Sequence, residues 1–258
     1  MPNLKLPTGR QAARGIVIGL VAGTVAGLVA EAARPRGGRG RLVDWEEIRR
    51  RARAKVGVQG ELNAAERGRL ARGYDRLAAE VRRPLLETVG GLPAGVELPG
   101  FDALSRQSWV DLNVDILRRT VEPVIETQLR VPNSRIVDLG RAGVNRYVAT
   151  VLAFLGERVL GQFDPQLLGH EPVTTALYLV EPNVAEWEAE ANLPGDDLRR
   201  WLILHETTHA WQFAAHPWLG EFMNDAIRQL LQMGDQLHEL VVFGADLLAF
   251  HAREPLEP

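Results

Sequence analysis

The stretch DDLRRWLILHETTHAWQFAAHPWL at 196–219 decides how the rest of the chain is read. Pro194-Gly195 makes a turn, and Asp196 and Asp197 then place carboxylates at the positive end of a helix dipole, which predicts a helix start. The helical pattern runs on until Pro217 disfavours helix at His216. Inside it stands His205-Glu206-Thr207-Thr208-His209. At about 100° per residue, His205 and His209 are roughly 40° apart on one face, a turn above each other, and Glu206 lies about 60° beyond His209 on the edge of that face. Leu198, Leu202 and Phe213 project there too. Ile203, Thr207, Ala210 and Ala214 form the opposite side, expected to pack against a core.

This HExxH spacing suits a metal. Two imidazoles at i, i+4 can both reach one Zn²⁺, and the adjacent carboxylate reaches a water on it. Zinc supplies Lewis acidity, and Glu206 is the expected general base that takes a proton from water and returns it to the leaving amine. His205 and His209 are thus the candidate metal ligands and Glu206 the candidate catalytic residue. A catalytic site needs a third protein ligand. The extended HExxHxxGxxH signature would place glycine where Gln212 stands and histidine where Ala215 stands, so the pattern is not that of a metzincin. Glu221, Asp225, His238 and Glu239 follow on the next helix and read as a solvated face; His170 and His251 read as non-ligands. Asp196, Asp197, Arg199 and Arg200 stand within about three turns of the motif, which disfavours a membrane-embedded protease. Trp211, Trp218 and Phe222 read as core aromatics, with a groove lining as the alternative.

Working outward, the body is mostly helical. Asp44 is a candidate N-cap for WEEIRRRARAKV, which carries acids first and bases last. A second helix is predicted over 64–89, interrupted or bent at Pro84, with Leu70, Tyr74, Leu77 and Val81 on one apolar face. GGLPAGVELPG at 90–100 reads as a loop and subdomain boundary. Helices are expected around 102–127 and 141–160. VTTALYLVEPN at 173–183, rich in β-branched and aromatic residues and closed by Pro182-Asn183, is the best strand. The expected fold is mainly α with a small β element. The glycine-rich segments lack phosphate-loop spacing.

Residues 1–41 differ from this body, which spans 42–258. The uncharged run GIVIGLVAGTVAGLVA at 15–30 repeats glycine at 15, 19, 23 and 27, a small-xxx-small stripe. Sixteen residues span roughly 24 Å as helix, against a hydrocarbon core of ~30 Å. Three readings stay open: a short membrane anchor, the core of a secretory signal with Ala30-Glu31-Ala32 near its cleavage site, or a glycine-rich helix packed in a soluble protein. As an anchor, its heavier C-terminal basic flank, RPRGGRGR at 34–41, places the body in the cytoplasm, tethered to the membrane. Residues 1–60 carry a charge of +8 in a 258-residue chain whose net charge is -3. A basic front and an acidic body argue against a nucleic-acid surface. The chain has no cysteine, which excludes disulfides, thiolate zinc sites and a cysteine nucleophile.

The run from Leu177 to Leu219 resembles a zincin-like metallopeptidase family found in actinobacterial and chloroflexal proteins, whose members carry hydrolase or deazaflavin-cofactor-biosynthesis descriptions. The resemblance rests on Pro182-Asn183 after a strand, Arg200-Trp201, the HExxH itself, Gln212-Phe213 and Pro217-Trp218-Leu219. Val159-Leu160-Gly161-Gln162-Phe163-Asp164 and Val43-Asp44-Trp45 extend it over roughly 43–220. It implies a mostly helical zinc-peptidase-like fold, His205 and His209 as ligands, Glu206 as catalytic carboxylate, and a third ligand from a Glu-Gly type motif on a later helix. Nothing in 220–258 reads so, and the chain is therefore expected to be C-terminally incomplete. The leading expectation is a zinc metallohydrolase acting on a peptide or small molecule. The alternative is a catalytically silent zinc-binding or membrane-tethered interaction protein.

Overall fold

The computed structural model describes residues 43–58, 60–128, 135–167, 177–191 and 196–229. The apolar run at 15–30, the basic linker, and His170, His238, Glu239 and His251 lie outside the described residues. Among the described residues no helix is long and apolar enough to cross a membrane. One compact unit comprises Val43–Ile125 and Asn145–Asn224; the second contributes, among the described residues, helical backbone at 126–128, 135–144 and 225–229.

Helix α1 (Trp45–Val56) starts where the sequence predicts: Asp44 accepts a hydrogen bond from the Glu47 amide at 2.9 Å, and Glu46 and Glu47 occupy the first turn. The buried Asn145 side chain ties this start down, accepting from the Asp44 amide at 3.1 Å and donating to Glu47 at 2.7 Å. Helix α2 (Ala64–Val89) opens with a reciprocal capping box between Asn63 and Glu66. Pro84 does not interrupt it. Pro84 and Glu80, four residues earlier, are both exposed, so the carbonyl left without its helical donor can face water. The helix stops at Gly90, left-handed at φ 88°.

The loop at 90–100 then leads, within the same compact unit, into strand β1 (Phe101–Leu104), where a helix was expected from 102. Four residues carry too little periodicity to announce a strand; pairing with a distant segment makes it one. The structural helix begins after Ser105, whose hydroxyl accepts from the Ser108 amide at 3.1 Å, and runs as α3 (Arg106–Gln128). Helix α4 (Arg135–Gly156) ends earlier than expected and is followed by the short strand β2 (Gly161–Phe163). Strand β3 (Leu177–Val180) lies inside the expected 173–183. It ends just before Pro182-Asn183, as expected. The chain passes directly into α5 (Glu181–Ala191), whose first turn accommodates Pro182 because its missing N–H has no helical acceptor there. Helix α6 (Asp197–Ala215) carries the HExxH and ends before His216, as Pro217 dictates.

The sheet order is β1-β3-β2, with β1 parallel and β2 antiparallel to the central β3. Register pairs Phe101 with Leu177 and Ala103 with Leu179, while Gly161 and Phe163 pair with Leu179 and Leu177. Paired residues share a face. This face meets α2 and α6 in a core built around Tyr74, Leu77, Leu177, Leu179, Leu202 and Ile203. On the opposite face Gln162 exchanges hydrogen bonds with Asn113 of α3. The architecture is mainly α with one small mixed sheet, and the sheet sets α6 in place.

Candidate metal centre

Helix α6 buries Leu198, Leu202, Ile203, Glu206, Thr207 and Ala210. That arc corrects the sequence reading in one respect. The sequence reading put Glu206 at the edge of the histidine face, with the packing side opposite; the buried arc instead centres near Glu206, which is 6% exposed. His205 and His209 occupy the margin where this arc meets solvent. Of the four residues expected to pack, Ile203, Thr207 and Ala210 are buried and Ala214 is half-buried, and Leu198 and Leu202 join the buried set. The Thr207 hydroxyl is buried with no hydrogen-bond partner among the described residues.

The two imidazoles face each other. Their Nε2 atoms are 3.2 Å apart, with ring centroids at 4.7 Å and planes at 86°. Two nitrogens each ~2.0–2.1 Å from one tetrahedral ion sit about 3.3 Å apart, so the donor pair fits a zinc ion. Burial and the neighbouring His209 hold His205 below its ordinary pKa, which favours its neutral form. Trp201, one turn earlier, stacks on His205 at 5.3 Å and 19°. Gln212, one turn later, accepts through Oε1 from Nδ1 of His209 at 3.0 Å.

Glu206 is pushed up to about 7 by burial, with the Phe163 backbone amide pulling it down less strongly. Strand β2 lies against it. A β-carbon on Gly161 would sit 2.8 Å from Glu206 Oε1 and 3.0 Å from its Cγ. One register step along, Phe163 packs on Phe213 of α6 at 5.4 Å. The expected Gly161-Gln162-Phe163 run therefore has a physical role that the sequence did not suggest, although a glycine inside a strand is a sign of close approach.

Among the described residues no third His, Cys, Asp or Glu gathers with the pair. Glu221 and Asp225 are exposed, as expected of a solvated face. The aromatics divide: Trp211 is half-buried and donates to the Gly91 carbonyl at 2.7 Å, whereas Trp218 and Phe222 are each 61% exposed and are not core.

The profile of a family described as zincin-like metallopeptidase matches residues 43–243. Among solved structures, the chain is similar to one from Chloroflexus aurantiacus, described as a candidate hydrolase with a novel fold. The two are 26% identical with a TM-score of 0.58, over 74% of this chain and 59% of the other. The chain thus spans about three fifths of that neighbour's length. No curated protein matches it.

Proposed function

Because the chain belongs to the zincin-like metallopeptidase family, we propose that it is a zinc-dependent hydrolase cleaving peptide bonds, with His205 and His209 as metal ligands and Glu206 as general base. The observation that carries this reading is the facing pair of Nε2 atoms, 3.2 Å apart, beside a buried carboxyl. His205 and His209 would hold the ion, together with a third ligand from outside the described residues. Zinc bound there supplies Lewis acidity and acidifies water.

The rest follows from the chain's own groups. Burial raises the proton affinity of Glu206 to about 7, close to neutral pH, where a carboxylate can both accept and release a proton. Its carboxylate takes a proton from the attacking water and delivers it to the departing amine. Gly161 gives that carboxylate its room. The apolar neighbours Leu202 and Ala210 limit competing solvation of the carboxyl.

The test is metal analysis of the purified chain with two variants, alongside a peptide-library cleavage assay. Zinc should be lost in His205→Ala and retained in Glu206→Gln, with cleavage abolished in both. Retained zinc without cleavage by the wild type would favour a silent zinc-binding protein. A wild type that takes up no stoichiometric metal would overturn the proposal.

A further inference from the structure

We propose that Gln212 is a positioning residue for metal binding, acting through His209. The inference rests on the zinc reading above and adds a residue to it. Oε1 of Gln212 lies 3.0 Å from His209 Nδ1. An amide oxygen can only accept, so Nδ1 carries the hydrogen. A neutral imidazole has a single N–H, which leaves Nε2 bare, and Nε2 is the atom facing His205 across 3.2 Å. The geometry thus presents a lone pair where the ion would sit. The opposite tautomer would aim a hydrogen into that gap, and His209 would have to give it up before binding.

The placement follows from helix geometry. Gln212 and His209 are three residues apart, neighbours on one face of α6. The position is the one at which the extended HExxHxxGxxH signature carries glycine, which has no side chain to offer. Gln212 therefore gives this chain a ring-orienting contact from within the same helix. Such contacts fix the tautomer and ring orientation of metal-binding histidines.

The experiment compares full-length wild type, Gln212→Leu and Gln212→Glu. Histidine ¹⁵N shifts of the metal-free proteins report the His209 tautomer, chelator competition reports zinc affinity, and thermal melting of the metal-free proteins reports the fold. Wild type should show the Nδ1–H form. Gln212→Leu should lose that preference and bind zinc about 10- to 100-fold more weakly, with melting unchanged. Gln212→Glu keeps an acceptor and should restore both the tautomer and the affinity. Wild-type zinc affinity in Gln212→Leu, or an unchanged His209 tautomer, would overturn the inference alone. A wild type that binds no zinc would overturn it together with the zinc reading.

Discussion

Gly161 leaves no room for a side chain beside Glu206: a β-carbon at 161 would meet Oε1 at 2.8 Å, Cγ at 3.0 Å and Cδ at 3.2 Å. The strand can approach the helix this closely only because position 161 has no side chain. Cγ and Cδ stand in the way as well as Oε1, so rotating the carboxylate alone does not relieve the clash. Gly161→Ala should therefore displace Glu206 or push β2 off α6, at a cost of about 1–3 kcal/mol. The three atoms nearest that β-carbon all belong to Glu206 and none to His205 or His209, so on the proposed zinc reading zinc content should be retained while peptide cleavage falls roughly 100-fold, the effect expected of misplacing a catalytic group by an ångström. Urea unfolding, metal analysis and a cleavage assay on one preparation check the three parts.

The same burial gives the metal-free protein a pH signature. The folded-state pKa of Glu206, about 7, lies above the ordinary value of 4.5, so between these the folded chain holds a proton that the unfolded chain has lost. Stability must then fall as pH rises from about 4.5 through about 7, by up to roughly 3 kcal/mol. Glu206→Gln cannot ionise. In chelator-treated protein it should flatten this part of the stability profile and gain stability over wild type at pH 8. An unchanged slope in Glu206→Gln would show that other groups set it.

How far the sequence speaks depends on the range of the interactions concerned. Helix α1 was legible because Asp44 and the Glu46, Glu47 start are local signals, and the HExxH was legible because helix geometry alone stacks His205 over His209. Strands β1 and β2 were not. Three or four residues have no measurable period, and their pairing partner, Leu177–Val180, lies 14 or more residues away. The burial of Glu206 was missed for the same reason: whether a helix edge is wet depends on what packs there, here Gly161. Pro182-Asn183 stood out in the sequence as the end of a strand, which it marks, but the interior contacts of Asn183 were not legible there.

Asn183 is 3% exposed and spans three elements. Its amide nitrogen donates to the carbonyls of Gly156 at 2.9 Å and Val159 at 2.7 Å, on the approach to β2, and its oxygen accepts from Arg106 Nε at 2.7 Å. Asn183→Leu would leave a guanidinium donor and two carbonyls unpaired in the interior, at about 1–3 kcal/mol for each group that water cannot reach. A loss of roughly 3 kcal/mol or more in urea unfolding is expected. Because these carbonyls set the path into β2, the proton affinity of Glu206 should shift as well, read as a displaced pH–stability profile.

Two consecutive arginines at the start of α6 separate a largely enclosed network from a surface one. Arg199 donates to both Glu181 and Glu188, and Tyr74 donates its hydroxyl to Glu181, joining α2, α5 and α6. The three charged side chains are only 12–17% exposed, and burial together with the Glu181 charge raises the Tyr74 pKa far above its ordinary value. Arg200 makes its own pairs, with Glu80 at 3.2 Å and Asp197 at 2.9 Å, but its side chain is 41% exposed. Arg199→Met leaves two carboxylates buried without their cation and should cost about 3–5 kcal/mol, the penalty for breaking a buried pair from one side. Arg200→Met removes interactions that water already screens and should cost at most about 1 kcal/mol. Urea denaturation of the two variants side by side tests this, and equal losses would mean that the Arg199 network is as solvated as its neighbour's.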